Sequence, residues 1–297
     1  MWPEAELFIK ARHPLGESLQ WQDEKNRLLW VDLLEPALHM HDFASGRTTV
    51  HPLPLPRPIG SFVLTDDPDV ILLCHTKGLS FLNTETRKLT DFCDPEAGRD
   101  GIIYNDMKMD RFGRLWVGTS HALEKEPRGA LWCVSTSGEA TLVDAGFAIS
   151  NGPAFSRDGR TMYFNDSMGY QTLAYDLDAA RPGAWNRRVF ARYSTEEGNP
   201  DGIVVDSEDC PWSAQWLGGR LIRLSPGGDK IGEVIVPAPV VATLCFGGHD
   251  LQTIYINTAR EGLDSTALER HPLSGSIFKA RSPVKGLAEP RFPLRRR

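Results

Sequence analysis

The chain has 297 residues, with 33 Lys and Arg against 39 Asp and Glu and a formal net charge of −6. Closed all-β folds reach this length as one unit and no linker-like stretch interrupts it, so a single domain over 1–297 is expected. The acidic balance argues against nucleic acid or an anionic membrane surface, which reward a basic face, and points to a small-molecule partner.

In chain order, Met1-Trp2-Pro3-Glu4-Ala5-Glu6 has neither a basic flank nor a long apolar run. It reads as neither signal peptide nor anchor, and no later apolar run reaches membrane-spanning length, so a cytoplasmic protein is expected. A turn followed by an apolar, aromatic-rich strand then recurs: Arg27-Leu28-Leu29-Trp30-Val31, Val70-Ile71-Leu72-Leu73, Gly113-Arg114-Leu115-Trp116-Val117, Gly159 to Phe164, Cys210-Pro211-Trp212-Ser213 and Thr253-Ile254-Tyr255-Ile256. The repeat is roughly 40 to 50 residues, the length of one four-stranded propeller blade. Each anchor is followed by a strand, a turn and a strand, at His39 to Val50, Gly78 to Phe92, Gly129 to Val143, Thr172 to Phe190, Arg220 to Val236 and Ser276 to Phe292. Two-residue alternation as in Leu221-Ile222-Arg223-Leu224 replaces any helical stripe, and the expected fold is an all-β, six-bladed β-propeller. The five cysteines (74, 93, 133, 210 and 245) include no C-x-x-C pair, which fits reduced thiols rather than a disulfide framework or zinc knot.

Three short segments put an oxygen-bearing side chain on a turn that runs into an apolar strand. They are Leu15-Gly16-Glu17-Ser18, Ser150-Asn151-Gly152-Pro153 and Gly198-Asn199-Pro200-Asp201-Gly202. Loops from all blades converge at the mouth of a propeller's central channel, so Glu17, Asn151 and Asp201 are candidates to meet at one divalent cation. Two carboxylates and an amide oxygen form a hard, anionic donor set for Ca²⁺, Mg²⁺, Mn²⁺, Zn²⁺ or Fe²⁺. Taken singly, each residue reads first as an ordinary turn or loop residue.

The ordered set Leu15-Gly16-Glu17, Leu29-Trp30-Val31-Asp32, Tyr104-Asn105-Asp106, Asp110 to Thr119, Asn151 to Ser156, Asn199-Pro200-Asp201-Gly202 and Phe246-Gly247-Gly248 resembles the SMP-30/gluconolactonase/luciferin-regenerating-enzyme family. These six-bladed propellers include regucalcin and bacterial sugar lactonases, and the likeness extends from about Leu15 to Phe292. The resemblance implies that Glu17, Asn151 and Asp201 are metal ligands and that the chain opens a sugar-acid lactone, aldono- or aldarolactone. It implies a cation that polarises the lactone carbonyl, with Asp201 also serving as general base on the attacking water. There is no G-x-S-x-G elbow, so serine-esterase chemistry is disfavoured.

The resemblance also implies Asn105 as a substrate contact, with Asp106 beside it as a supporting or hydroxyl-binding group. Where the family commonly carries arginine two residues before this asparagine, the chain has Ile103. His121, Arg99 and Lys108 are candidates to replace that charge, and Glu124 is a further loop candidate. Ile103 and Tyr104 also give the pocket a less polar wall, which keeps an arylesterase-like or non-sugar lactonase in view. A noncatalytic metal-binding or interaction propeller is the alternative of another class. A monomer or small homo-oligomer is expected. Pro52 to Pro58 reads as a stiff connector between blades, His39 and His41 as a solvated strand face, and Arg295-Arg296-Arg297 as a frayed tail.

Overall fold

The computed structural model describes residues 2–294, and Arg295 to Arg297 lie outside the described residues. Strand β1 (Glu6–Ile9) comes first in the chain but joins the last sheet. Four strands from β2 (Gly16–Gln22) to β5 (Arg47–Pro52) then form a meander, and so do β6 (Ile59–Leu64) to β9 (Leu89–Cys93). The pattern continues from β10 (Ile102–Met109) to β13 (Ala140–Phe147), from β14 (Ser150–Phe155) to β17 (Arg181–Arg192), and from β18 (Asn199–Val205) to β21 (Lys230–Ile235). The last blade holds β22 (Val241–Gly247), β23 (Thr253–Thr258) and β24 (Ile277–Arg281), completed by β1 in the order β1-β24-β23-β22. The first strands of successive blades contact one another around a closed ring, so the chain is a six-bladed β-propeller.

The recurring aromatic strands are the second strand of each blade, where apolar residues are covered on both faces. Trp30, Trp116 and Trp212 are fully buried, and each still has a partner for its indole N–H, as a buried polar group requires. Trp116 Nε1 donates to Asp110 and Trp212 Nε1 to Asp206, both at 2.9 Å, while Trp30 Nε1 donates to His13 at 3.1 Å. Asp110 and Asp206 also accept backbone N–H groups of the turns that follow them, so one carboxylate fixes the turn and anchors the tryptophan. All five cysteines are free. Among the described residues no helix is long and apolar enough to cross a membrane.

Two expectations are corrected. The sixth blade does not take its fourth strand from the segment ending at Phe292. Past β24 the chain crosses the end of the channel where the first strands finish, with bridges from Gly286 to Asp206 and from Phe292 to Thr65. Phe292 is buried there and Lys108 pairs with Glu289 at 3.2 Å, which makes the C-terminal run a plug and leaves β1 to close the ring. The second correction concerns His39 and His41, which are buried rather than solvated. Their strand, Ala37–Asp42, presents them to an aromatic layer between blades: His39 stacks on Trp30 at 5.2 Å, and His41 meets Phe8 at 5.2 Å and Phe43 at 4.9 Å edge-on.

Candidate functional site

The three oxygen-bearing segments do not end as turns. Glu17, Asn151 and Asp201 lie within the first strands of their blades, β2, β14 and β18, at a one-residue register shift against the neighbouring strand: Glu17 and Asn151 are the last paired residues before it, and Asp201 lies within it, just after Pro200. The same shift occurs in β6, β10 and β22. A β-bulge inserts an unpaired residue and bends the strand, re-aiming the side chains beside it. Six bulges at one end of the ring therefore tilt that end of every first strand together. The Gly-, Asn- and Pro-rich composition that suggests turns is the composition of these bulges: Gly152 has φ 85°, and a Cβ on it would sit 2.6 Å from Ile203 on the adjoining first strand.

The bulges are also where the blades are stitched together. Ser18 Oγ exchanges hydrogen bonds with the Phe62 backbone, and the Met107 N–H donates to Ser61 Oγ at 2.7 Å. In the same way the Gly152 N–H donates to Asp106 Oδ2 at 2.9 Å. Asp106 is thus turned to a backbone N–H and is not among the cavity-lining residues.

Above the bulges lies a cavity of about 540 Å³ lined by Glu17, Asn105, Asn151 and Asp201 together with Ile103, Tyr104 and Glu124. Four of the six expected site residues are brought together there. Asn105 Nδ2 donates to Asn151 Oδ1 and to the Ser150 carbonyl, both at 2.7 Å. Asn151 Nδ2 donates to Ser167 Oγ at 2.8 Å, and Ser167 Oγ donates to the Pro200 carbonyl at 2.6 Å. This relay holds the amide of Asn151 in one orientation and connects three blades within the cavity lining, to which Ser167 and Pro200 also belong. Behind it the buried Asn165 donates to the Asp201 carbonyl and to Ser213 Oγ. Sequence reasoning missed Ser167 and Asn165, although the register that pairs Asn151 with Asn165 across the hairpin is the signal that would have pointed to the latter.

His121 does not reach the cavity lining. It ends the strand Leu115–His121, is buried, and its Nδ1 accepts the Glu126 N–H at 2.9 Å, tying down the loop that carries Leu123 and Glu124. The other candidate cations are engaged elsewhere. Arg99 pairs with Glu96 at 2.6 Å, and Lys108 donates to the Ile203 carbonyl near the plug. As a result, Glu17, Glu124, Asp201 and Glu261 line the cavity, while no Lys, Arg or His among the described residues does.

Electrostatics follow from that imbalance. Burial, and then the charge of Asp106, holds the Glu17 carboxyl well above the usual carboxylate range, with only the Ser18 N–H acting the other way. Asp201 is held well above its range by burial, then by Glu17, Asp106 and Glu124. Burial and then Glu261 raise Glu124. Two buried carboxylates that repel each other, with no cationic side chain to pair with, are costly as they stand. The donor chemistry fits a hard divalent cation: two anionic oxygens and the fixed amide oxygen of Asn151, with room above for water or substrate. The set depends on that amide, because among the described residues no group of three or more His, Cys, Asp or Glu converges as metal ligands.

Comparison with known proteins places this geometry among relatives. A family model described as SMP-30/Gluconolactonase/LRE-like region matches residues 15–260. A 6-deoxy-6-sulfogluconolactonase of Pseudomonas putida is 35% identical over 290 residues, spanning 96% of this chain and 98% of the relative. An L-arabinolactonase of Azospirillum brasilense is 33% identical over 294 residues, with 97% and 95% covered. Among solved structures, a calcium-binding protein, regucalcin, from Agrobacterium tumefaciens superposes with a TM-score of 0.92 at 30% identity, covering 99% of this chain and 98% of that one.

Proposed function

The chain belongs to the SMP-30/gluconolactonase/LRE-like family, and from that premise we propose that it hydrolyses a sugar-acid lactone, with a divalent cation held by Glu17, Asn151 and Asp201. The observation that carries this reading is the pair of buried, mutually repelling carboxylates at the floor of a cavity without a cationic side chain. Relatives named as lactonases and a solved relative named as calcium-binding support the same reading.

Hydrolysis joins a water oxygen to the lactone carbonyl carbon, breaks the ring C–O bond, and returns a proton to the ring oxygen. A bound divalent ion would supply Lewis acidity toward the carbonyl. Asp201 is the group that takes the proton from water and returns it to the leaving oxygen. Asn105 and the fixed Asn151 amide orient the ring, while the relay through Ser167 keeps these groups from rearranging. The names of the relatives include a sulfonated gluconolactone and an arabinolactone, so they leave the ring substituents open.

The test is a pH-stat panel of lactones with chelator-treated protein, followed by addition of Ca²⁺, Mg²⁺, Mn²⁺, Zn²⁺ or Fe²⁺. The expected result is no turnover after chelation, restoration by at least one ion, and loss of turnover in Asp201→Ala under every ion. Metal binding without opening of any lactone would refute hydrolysis and favour a noncatalytic metal-binding propeller.

A further inference from the structure

We propose that the cavity selects an uncharged lactone bearing an apolar ring substituent and rejects lactones that carry a carboxylate, sulfonate or phosphate. This rests on the lactonase reading and narrows its substrate class. Two independent features of the cavity support it, one of charge and one of surface.

The first is the charge count. Glu17, Asp201, Glu124 and Glu261 line the cavity, and a divalent cation at the first two would offset two charges and leave two. Those two, Glu124 and Glu261, come from different blades and lie close enough that the second raises the first. Among the described residues no lining cation opposes them. Arg99 and Lys108 are engaged away from the cavity, and Lys125 and Arg260, adjacent in sequence to Glu124 and Glu261, do not line it. A second anion on the substrate would enter a field of its own sign, which lowers both encounter and binding.

The second is the rim. The other exposed large apolar side chains, such as Val50, Leu142 and Ile235, lie on the outermost strands of their blades, whereas Leu123, Met168 and Leu217 are exposed at the mouth of this cavity and line it. They sit on the second-to-third-strand connections of three consecutive blades, between His121 and Gly129, Asp166 and Gln171, and Trp216 and Arg220. Ile103 continues the apolar wall inward. The volume of about 540 Å³ falls within the range of roughly 300–1,000 Å³ that holds drug-sized ligands, so a ring at the floor leaves space for a substituent to reach the rim.

The test compares three lactones with the same ring, carrying a hydroxymethyl, a carboxylate or a butyl group, by kcat/KM under the ion that restores turnover. The butyl lactone should exceed the hydroxymethyl one by roughly tenfold, and the carboxylate should fall below it by at least about tenfold. Glu124→Gln with Glu261→Gln should narrow the hydroxymethyl-to-carboxylate ratio several-fold. Met168→Ser with Leu217→Ser should narrow the butyl-to-hydroxymethyl ratio, each ratio being read within one variant. Turnover of the carboxylate lactone at or above the hydroxymethyl rate would overturn the inference and leave hydrolysis standing. If no lactone is opened, hydrolysis falls and titration calorimetry with the three corresponding lactams decides the ligand class. Tighter binding of the butyl than of the carboxylate lactam sustains it, and a flat or reversed order overturns it.

Discussion

Asp201→Asn should make the metal-free protein more stable and the metal-loaded protein less stable than the wild type. The substitution keeps shape and removes one of two like charges, and the only backbone donor that relieves the Asp201 carboxyl is the Gly202 N–H, so little hydrogen bonding is lost. Removing one of two like charges, at an effective dielectric of about 20 and with solvent reaching the open cavity, should gain about 1–2 kcal/mol. For 297 residues at about 2.1 cal/mol/K each, the unfolding entropy is about 620 cal/mol/K, so 1 kcal/mol corresponds to about 1.6 °C. Tm should rise by about 2–3 °C in chelator at pH 8 and low salt. With a divalent ion at about 100 times its Kd, the wild type gains about 2.7 kcal/mol, or about 4 °C, while the variant, short of one anionic ligand, gains little. The order of the two melting curves therefore reverses on adding metal. A metal-free variant that melts below the wild type, or equal stabilisation of both by metal, would refute the repulsion argument.

Asn105→Ala frees the Asn151 amide from its 2.7 Å donor, and calorimetry should show divalent affinity weakened by roughly tenfold, the usual scale for losing a residue that orients a ligand. Asp206→Ala strands the Trp212 N–H and two backbone N–H groups at the far end of the channel and takes from Arg223 its buried carboxylate partner, leaving only Glu208. It should cost about 3–5 kcal/mol, about 5–8 °C in Tm, with divalent affinity within about twofold of wild type. Burial lowers the pKa of His39 to about 4, so unfolding takes up a proton at any pH between that value and the ordinary 6.5. Stability from this group is complete above about 6.5 and is lost as pH falls toward 4, by about 2 kcal/mol at pH 5. His39→Phe keeps the ring against Trp30 and should shrink the Tm difference between pH 7 and pH 5 by about 3 °C; an unchanged difference would show that His39 is not held neutral.

The blade repeat was legible because its anchors are local. A turn, an arginine or glycine and a buried aromatic strand must occur together wherever a second strand is covered on both faces, as at Leu115 to Val117. Closure of the ring was not legible, because nothing local distinguishes an edge strand such as Glu6–Ile9 from a frayed terminus, or the plug ending at Phe292 from a strand. His39 and His41 misled for a related reason: alternation fixes which residues share a face, while the neighbouring blade decides whether that face is wet. For the site, residue type pointed to Glu17, Asn151 and Asp201, and the family resemblance to Asn105, without revealing that each lies in or beside a bulge. Register depends on pairing with a strand distant in sequence, as at Asn151 and Asn165, fourteen residues apart, and composition records it only as glycine and proline.

The bulges also explain why the ring of first strands can be polar on some blades and apolar on others. At the lining positions beside the bulge, blades one, three, four and five present Glu17, Asn105, Asn151 and Asp201, whereas blade two presents Ile59, with Leu33 nearby. The backbone at each position is already satisfied by stitches such as Ser18 to Phe62, Ser61 to Met107 and Asp106 to Gly152. Among the described residues the Glu17 and Asp201 side chains make no hydrogen bond between blades and can vary in chemistry without unlocking the ring, whereas Asn105 also joins its blade to the next through Ser150 and Asn151. Apolar neighbours such as Ile59 then exclude water from one side of the carboxylates. That exclusion strengthens their mutual repulsion without a cation and their attraction to one when it binds, so the same wall raises both the cost of the empty site and the return on filling it.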